Sequence, residues 1–280
     1  YKLTSDRITS DLSLIYTPLT WLRYQFDVSL DIMNDKTKAF LPQTATGRPW
    51  NEISVNKSDD IDSEASILQT FNKLLFTPHL GKDHDFQGLL GSSTYQKVAD
   101  SYKATSGNSA SPYLRDPSIP SRVAGNPYLG ISSGNSENRF ASFFVNVQYS
   151  LLDRYIVSAN IRTDGSSRFG NNFRWGTYPS VSGRWRISGE PFMKKSEKWL
   201  DELSLRASYG INGAQPKYDY GYLSLYDIYD SSYLGETGTY PTNLELVDLR
   251  WEKTVQKNLG LNFAAFQNRI NFDMEVYKKR

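Results

Sequence analysis

Leu22 to Ile32 reads LRYQFDVSLDI. Leu22, Tyr24, Phe26, Val28, Leu30 and Ile32 are apolar, and Arg23, Gln25, Asp27, Ser29 and Asp31 stand between them. A strict period of two places the apolar set on one face of an extended strand and the polar set on the other. The same alternation returns in DRYIVSANIRTD, with Tyr155, Val157, Ala159 and Ile161 against Arg154, Ser158, Asn160, Arg162 and Asp164. It returns again in LSLRASYGIN (Leu203 to Asn212) and RINFDMEVYK (Arg269 to Lys278). Weaker versions run from Arg7 to Tyr16, Glu64 to Phe76, His84 to Gln96, Arg139 to Tyr149, Tyr178 to Ile187 and Trp251 to Phe266. The chain is therefore all-β, with about ten strands, several longer than the ~5–6 residues common in globular sheets.

The connections decide which face meets which solvent. TPLT (Thr17 to Thr20), GKD (Gly81 to Asp83), LLD (Leu151 to Asp153) and QN (Gln267 to Asn268) read as tight turns. Between them stand long connections, Asn34 to Ser63, Lys97 to Asn138, Gly165 to Thr177 and Gly213 to Arg250. Short turns on one side and long loops on the other are the form of an outer-membrane barrel, whose apolar face looks at lipid. Strands near the ~9–11 residues that cross a bilayer agree. Tyr16, Trp21, Tyr149, Tyr155, Tyr178 and Tyr277 near strand ends suit interfacial girdles. One connection, Gly189 to Asp201, is longer than a turn and reads as a short amphipathic helix carrying Phe192, Trp199 and Leu200.

Composition limits the alternatives. The chain is 39% hydrophobic, with no run approaching the ~18 apolar residues of a spanning helix. It has no cysteine, which excludes disulfides and zinc–thiolate sites. A net charge of +2 gives no reason to expect nucleic acid as a partner. Tyr1 is not an initiator methionine and no leader precedes the first strand, so the chain reads as a segment of a longer protein.

Several ordered motifs, from Asn138 to Lys279, carry a resemblance. A Tyr-containing strand ends in RTDGSSRFG (Arg162 to Gly170), and FRWG and YPSVS follow. Next come WRIS with a Glu and a Phe just beyond, LRASYG, and LRWEKT. In these the sequence resembles the barrel of the SusC/RagA family of TonB-dependent outer-membrane transporters, a Bacteroidetes-type system. The resemblance implies that residues 1–280 are one partial barrel domain, about ten strands of a larger barrel of about 22. A plug domain and further C-terminal strands would lie outside it. It also implies the outer membrane of a Gram-negative cell, lipid around the barrel and a SusD-like surface lipoprotein as partner. Energy would come from a TonB–ExbB–ExbD complex through an absent N-terminal part, and the cargo would be an oligosaccharide or peptide. No cofactor and no enzymatic activity are implied. Gly-Ala-Gln at Gly213 to Gln215 stands where the family often has Gly-Asn-Gln.

Candidate site residues follow. IRTDGSSRFG (Ile161 to Gly170) fails as a calcium loop, because the twelfth residue from Asp164 is Trp175, not Glu. It fails as a phosphate loop for want of Gly-Lys-Ser/Thr before a helix. Arg162, Asp164, Gly165, Ser166, Ser167, Arg168, Phe169, Gly170 and Trp175 are expected to form the start of an outer loop facing the lumen or its rim. Asp164 and Ser166 would bond backbone amides, Gly165 and Gly170 would supply special backbone conformations, and the arginines would pair with Asp164 or Glu252. In YDYGYLSLYDIYDSSYLGETGTYPTNL, Tyr218, Tyr220, Tyr222, Tyr226, Tyr229, Tyr233 and Tyr240 crowd one loop. Such rings suit sugars, which present C–H faces and polar rims. Packing of the loop on itself or on a capping protein is the competing reading, and part of it is expected to be a hairpin. His79 and His84 lack companions for a metal site, and no Ser-His-Asp set or carboxylate pair points to an enzyme. A soluble or surface β-rich carbohydrate-binding or adhesive module is the alternative. It would have to cover its apolar face with a second sheet.

Overall fold

The computed structural model describes residues 1–122 and 128–280, with the side chains of 230–233 outside the description. Its strands are β1 (Lys2–Leu19), β2 (Leu22–Leu41), β3 (Lys57–Phe76), β4 (His84–Ser106), β5 (Gly130–Leu151), β6 (Tyr155–Ser166), β7 (Trp175–Arg186), β8 (Leu200–Ala214), β9 (Tyr226–Tyr233), β10 (Glu236–Pro241), β11 (Glu252–Ala265) and β12 (Ile270–Lys279). Ten of them form one sheet in the order β1-β2-β3-β4-β5-β6-β7-β8-β11-β12, and β9 pairs with β10 in a separate hairpin. The large sheet is open, with β1 and β12 at its edges.

Two compact units make up the chain. The first comprises Tyr1–Leu12, Val28–Gln69 and Tyr95–Asn138. Here strands run on where the sequence had suggested loops: β2 reaches Leu41, β3 begins at Lys57, β4 reaches Ser106 and β5 begins at Gly130. The apolar alternation fades in these stretches because both faces are hydrophilic, yet the backbone still pairs. Lys36–Asp62, Lys38–Asp60 and Lys103–Asp59 ion pairs and the Thr105–Asp59 and Asn135–Asp100 hydrogen bonds replace apolar cross-strand contacts. The connections 42–56 and 107–122 interlock through two asparagines in the left-handed region, Asn56 (φ 49°) and Asn108 (φ 57°). The Asn108 side-chain amide donates to the carbonyls of Trp50 and Glu52, and that of Asn56 to the carbonyl of Ser109.

The second unit comprises Ser13–Asp27, Thr70–Thr94 and Arg139–Arg280. Antiparallel register is continuous from β5 to β12 and sorts the side chains into rows. One face carries Val147, Ala159, Val181 and Tyr209 in one row, and Leu151, Tyr155, Trp185, Leu205, Leu261 and Met274 in another. The opposite face carries Asn146, Asn160, Ser180, Gly210 and Gln256, then Gln148, Ser158, Ser182, Ser208 and Asn258. Tight turns join the strands. Leu152 and Asp153 (φ 55° and 52°) close β5 onto β6 with Arg154 N–H donating to the Leu151 carbonyl, the two-residue turn whose twist matches paired strands. Phe266, Gln267 and Asn268 take the left-handed conformation between β11 and β12.

The apolar face has no cover among the described residues. Phe143, Val157, Ile161, Val181 and Leu259 are about half exposed, whereas the buried hydrophobic residues are Val55, Phe169, Tyr178, Leu200, Trp251, Ala264 and Ala265. Seven residues in a chain of 280 cannot be the core of a water-soluble sandwich. Aromatic rings border the exposed face. Trp21, Phe76 and Phe86 stack edge to face, His84 Nδ1 lies 2.6 Å from the Tyr149 hydroxyl, and Trp199 neighbours Phe266. Two of the expected girdle residues lie elsewhere. Tyr178 is buried on the polar side and Tyr277 sits opposite Asn258 in a polar row, because register and not position near a strand end decides the face.

Gly189 to Asp201 is two short 3-10 turns, Ile187–Gly189 and Pro191–Ser196, instead of an amphipathic helix. Phe192 and Trp199 are exposed and only Leu200 is buried. Glu190 organises the piece: its carboxylate accepts from the Tyr155 hydroxyl (2.5 Å) and the Trp185 indole (3.0 Å), and Arg154 lies at 3.3 Å. Those hydrogen bonds, with the Arg154 charge, hold the carboxyl below its ordinary 4.5. A carboxyl lowered by folding stabilises above its unfolded value and loses that contribution as pH falls through the folded one. Glu190→Gln should therefore speed amide exchange in residues 187–200 at pH 7, and the difference from the parent should close below 4.5. Equal effects at both pH values would reject this role.

Candidate functional site

The motif stretch Arg162 to Trp175 spans the end of β6 and the start of β7. On the polar face, Phe144 on β5 stands opposite Arg162, and its ring occupies the space over Gly91, where an added Cβ would lie 2.3 Å from it. The Arg162 guanidinium sits 5.8 Å from that ring and its Nε donates to Asp164 Oδ1 at 2.7 Å. Ser142, fully buried, donates to the same carboxylate at 2.6 Å and accepts from Arg162 Nη2 at 2.9 Å. Asp164 is thus bonded by side chains, not by the backbone amides expected of it. Ser166 does meet that expectation, accepting from the Arg168 amide at 3.2 Å, and Ser167 accepts from the Arg139 amide at 2.9 Å.

The glycines act by space and not by backbone conformation. Neither Gly165 nor Gly170 has a positive φ. A Cβ on Gly165 would lie 2.8 Å from the Trp175 ring, which covers it from the apolar face and neighbours Phe143. A ring laid across a bare strand backbone restores the packing that glycine gives up. Tyr178 is seated in a slot made the same way: a Cβ on Gly176 or Gly213 would come within 2.1 or 2.0 Å of it. The seated ring joins Phe169 and Trp251 in the one buried aromatic cluster of this unit, with Phe140, Ile211 and Leu249 packed around it. Phe169 and Trp251 stack at 4.6 Å.

Residues 165–174 hold both ends of the long connection between β8 and β11. At the near end Ser166 donates to Gln215 Oε1 (2.8 Å), Arg168 Nε donates to Asp219 Oδ1 (2.7 Å), and Arg168 Nη1 donates to the Pro216 carbonyl (2.9 Å). Tyr222 lies against Gly170. At the far end Arg250 stacks on Phe173 at 4.3 Å, and the Trp251 indole donates to the Arg174 carbonyl at 3.3 Å. Arg168 therefore pairs with Asp219, a partner 51 residues away that spacing could not reveal. Between the ends, Asn243 bridges the stem by accepting from the Leu225 amide and donating to the Leu223 carbonyl. The expected hairpin follows as β9 and β10.

The loop tyrosines fall into separate groups. Tyr218 is exposed, while Tyr220 (φ 60°) and Tyr222 are half-buried at the near end. Tyr229 faces Tyr240 at 4.8 Å on one side of the hairpin, and Tyr226 is exposed beside Ile228 on the other. The Tyr233 side chain lies outside the described residues. Among the described residues no group of three or more His, Cys, Asp or Glu could hold a metal ion. Nearer the short turns, the polar face carries Arg184 directly opposite Arg206, paired with Glu202 and Asp273 respectively. A concavity of about 300 Å³ there is lined by Ser158, Ser182, Arg184, Arg206, Asn258 and Glu275, among others.

The family model for the TonB-dependent receptor-like β-barrel matches residues 2–280. The chain belongs to that family. Its members are outer-membrane transporters or receptors, not enzymes, so the chain is an outer-membrane barrel sheet whose bare apolar face meets lipid. Relatives include TonB-dependent receptor P39 of Formosa agariphila, 38% identical over 50% of this chain and 13% of that protein. SusC of Bacteroides thetaiotaomicron is 38% identical over 52% of this chain and 15% of that protein. TonB-dependent receptor P3 of Formosa agariphila is 30% identical over 98% of this chain, which spans 27% of it. Among solved structures, the RagAB peptide importer in its closed-closed state superposes with a TM-score of 0.85 at 24% identity, over 99% of this chain and 30% of that one. The ferric citrate transporter FecA superposes at 0.57 and 7% identity. The chain thus spans less than a third of these relatives.

Proposed function

We propose that this chain is part of the barrel wall of a TonB-dependent importer that takes up nutrient oligomers, glycans or peptides, together with a SusD-like surface lipoprotein. The observation that carries the reading is the two-faced sheet. On β7, Trp175 and Trp185 stand on the apolar face ten residues apart. At ~3.3 Å per residue and a tilt of about 40°, that is about 25 Å, the height of the apolar band of an outer-membrane barrel. The opposite face presents rows of uncharged Asn, Ser and Gln, which suit a wall along which polar cargo passes.

In this reading β1 and β12 pair with further strands, since an open edge in lipid leaves backbone groups without partners. A plug domain and the segment that meets TonB–ExbB–ExbD lie outside residues 1–280. Strands of 20 to 23 residues, β2 to β5, exceed the ~9–11 that cross hydrocarbon, and the excess stands in water. The tyrosine-bearing loop supplies aromatic faces for cargo or for the lipoprotein. The names of the relatives support both cargo classes: SusC on one side, a RagAB peptide importer on the other.

The test starts with outer-membrane fractions of source cells. The tryptic peptide from Tyr155 to Arg162 identifies the parent band, whose gel mobility is compared heated and unheated. The expected result is a band far above 31.9 kDa that shifts on heating and brings a lipoprotein with it. Uptake of labelled oligosaccharide and peptide mixtures, with and without the gene, then assigns the cargo. A soluble band near 31.9 kDa with no heat shift would overturn the reading.

A further inference from the structure

The motif RTDGSSRFGNNFRW has no ligand of its own, and its contacts point to a different task. We propose that residues 166–174 are a positioning platform that clamps both roots of the 215–251 loop, so that the tyrosine hairpin is presented in one place relative to the barrel wall. This deepens the proposed function and rests on it only for what the hairpin then binds.

Three features of the geometry carry the assignment. First, the contacts at both roots come from one short segment: Ser166, Arg168 and Gly170 take the near root, and Phe169, Phe173 and Arg174 the far one. A loop held at one end would pivot, whereas one held at both ends on a common base does not. Second, the roots also touch each other, since a Cβ on Gly221 would meet the Leu249 side chain at 4.0 Å. Third, the fastening at the near root is charge-assisted and partly sheltered. The Arg168 and Asp219 side chains are 21% and 24% exposed, and a guanidinium that bonds a carboxylate and a carbonyl at once fixes direction as well as distance. Beyond the stem the two-stranded hairpin has no sheet to lean on. Ribbons of that kind are marginal alone. Its placement therefore depends on the roots.

The experiment uses the intact transporter purified from outer membranes and follows amide hydrogen exchange by mass spectrometry. Arg168→Gln should raise exchange in residues 215–225 on the order of tenfold while leaving β6 and β7 protected. Arg168→Asp combined with Asp219→Arg should restore protection that neither single change keeps. Should Arg168→Gln fail to reach the membrane, Arg250→Ala releases the far root instead, and exchange should rise in residues 240–251. Unchanged loop exchange in these variants, or failure of the charge swap to restore it, overturns the proposal. Affinity for the cargo identified by the uptake assay, measured on the same variants, separates this inference from the one beneath it. Faster loop exchange with weakened affinity and unaltered maximal uptake supports both. Faster exchange with unaltered affinity supports the platform and refutes cargo binding by the hairpin.

Discussion

Gly213→Ala should destabilise the barrel by about 2–3 kcal/mol, a large effect for one methyl group. The added Cβ would stand 2.0 Å from Tyr178 Cζ and 2.2 Å from its hydroxyl oxygen. The ring cannot retreat the other way, because Gly176 is bare for the same reason, and Trp251 closes the slot at 5.7 Å. Gly213 has no positive φ, so the cost is steric and not a matter of backbone conformation. A double-mutant cycle isolates the cause. With Tyr178→Leu in place the ring is gone, and adding Gly213→Ala should cost much less than it does alone. Thermal loss of the heat-modifiable form in detergent measures all four proteins. Strict additivity would mean that the slot is not what makes glycine necessary.

The second large effect concerns the other face. Val181 lies between Trp175 and Trp185 on the apolar side of β7, with Ala159 and Tyr209 as cross-strand neighbours, and is 48% exposed. In water an exposed valine tolerates arginine at little cost. At the middle of a lipid band the same change costs about 2–4 kcal/mol. Val181→Arg should therefore impair assembly in outer-membrane lipid or lower stability in refolding titrations by that amount. Ser182→Arg, one residue along and facing the polar concavity, should be nearly silent. Equal tolerance at the two positions would contradict a lipid-facing apolar side.

These two variants rest on features of unequal legibility. The faces at Val181 and Ser182 follow from alternation, because a strand has a period of two and each face must match its solvent. The strands beyond the apolar band were not legible in the same way. Where both faces meet water the hydrophobic signal is gone, and only backbone pairing with ion pairs such as Lys36–Asp62 and Lys38–Asp60 marks the strand. The connection at Glu190 misled for a related reason: Phe192, Trp199 and Leu200 looked like one helical face, but Pro191 and the Glu190 hydrogen bonds favour short 3-10 turns.

The candidate site divides the same way. The importance of Arg162 to Trp175 was visible in its run of Gly, Ser, Asp and Arg, and the bond of Arg162 to Asp164 lies within two residues. The partners of Arg168, the slot for Tyr178 and the fastening of Trp251 were not visible, since each joins segments tens of residues apart. By itself the sequence determined an all-β chain with one face for lipid and one for a polar interior, because alternation is local and solvent acts on each strand alone. Tertiary structure decided which glycines must be bare, which carboxylate each arginine meets and where the tyrosine hairpin is anchored. Those depend on close contact between distant segments, which no local pattern encodes.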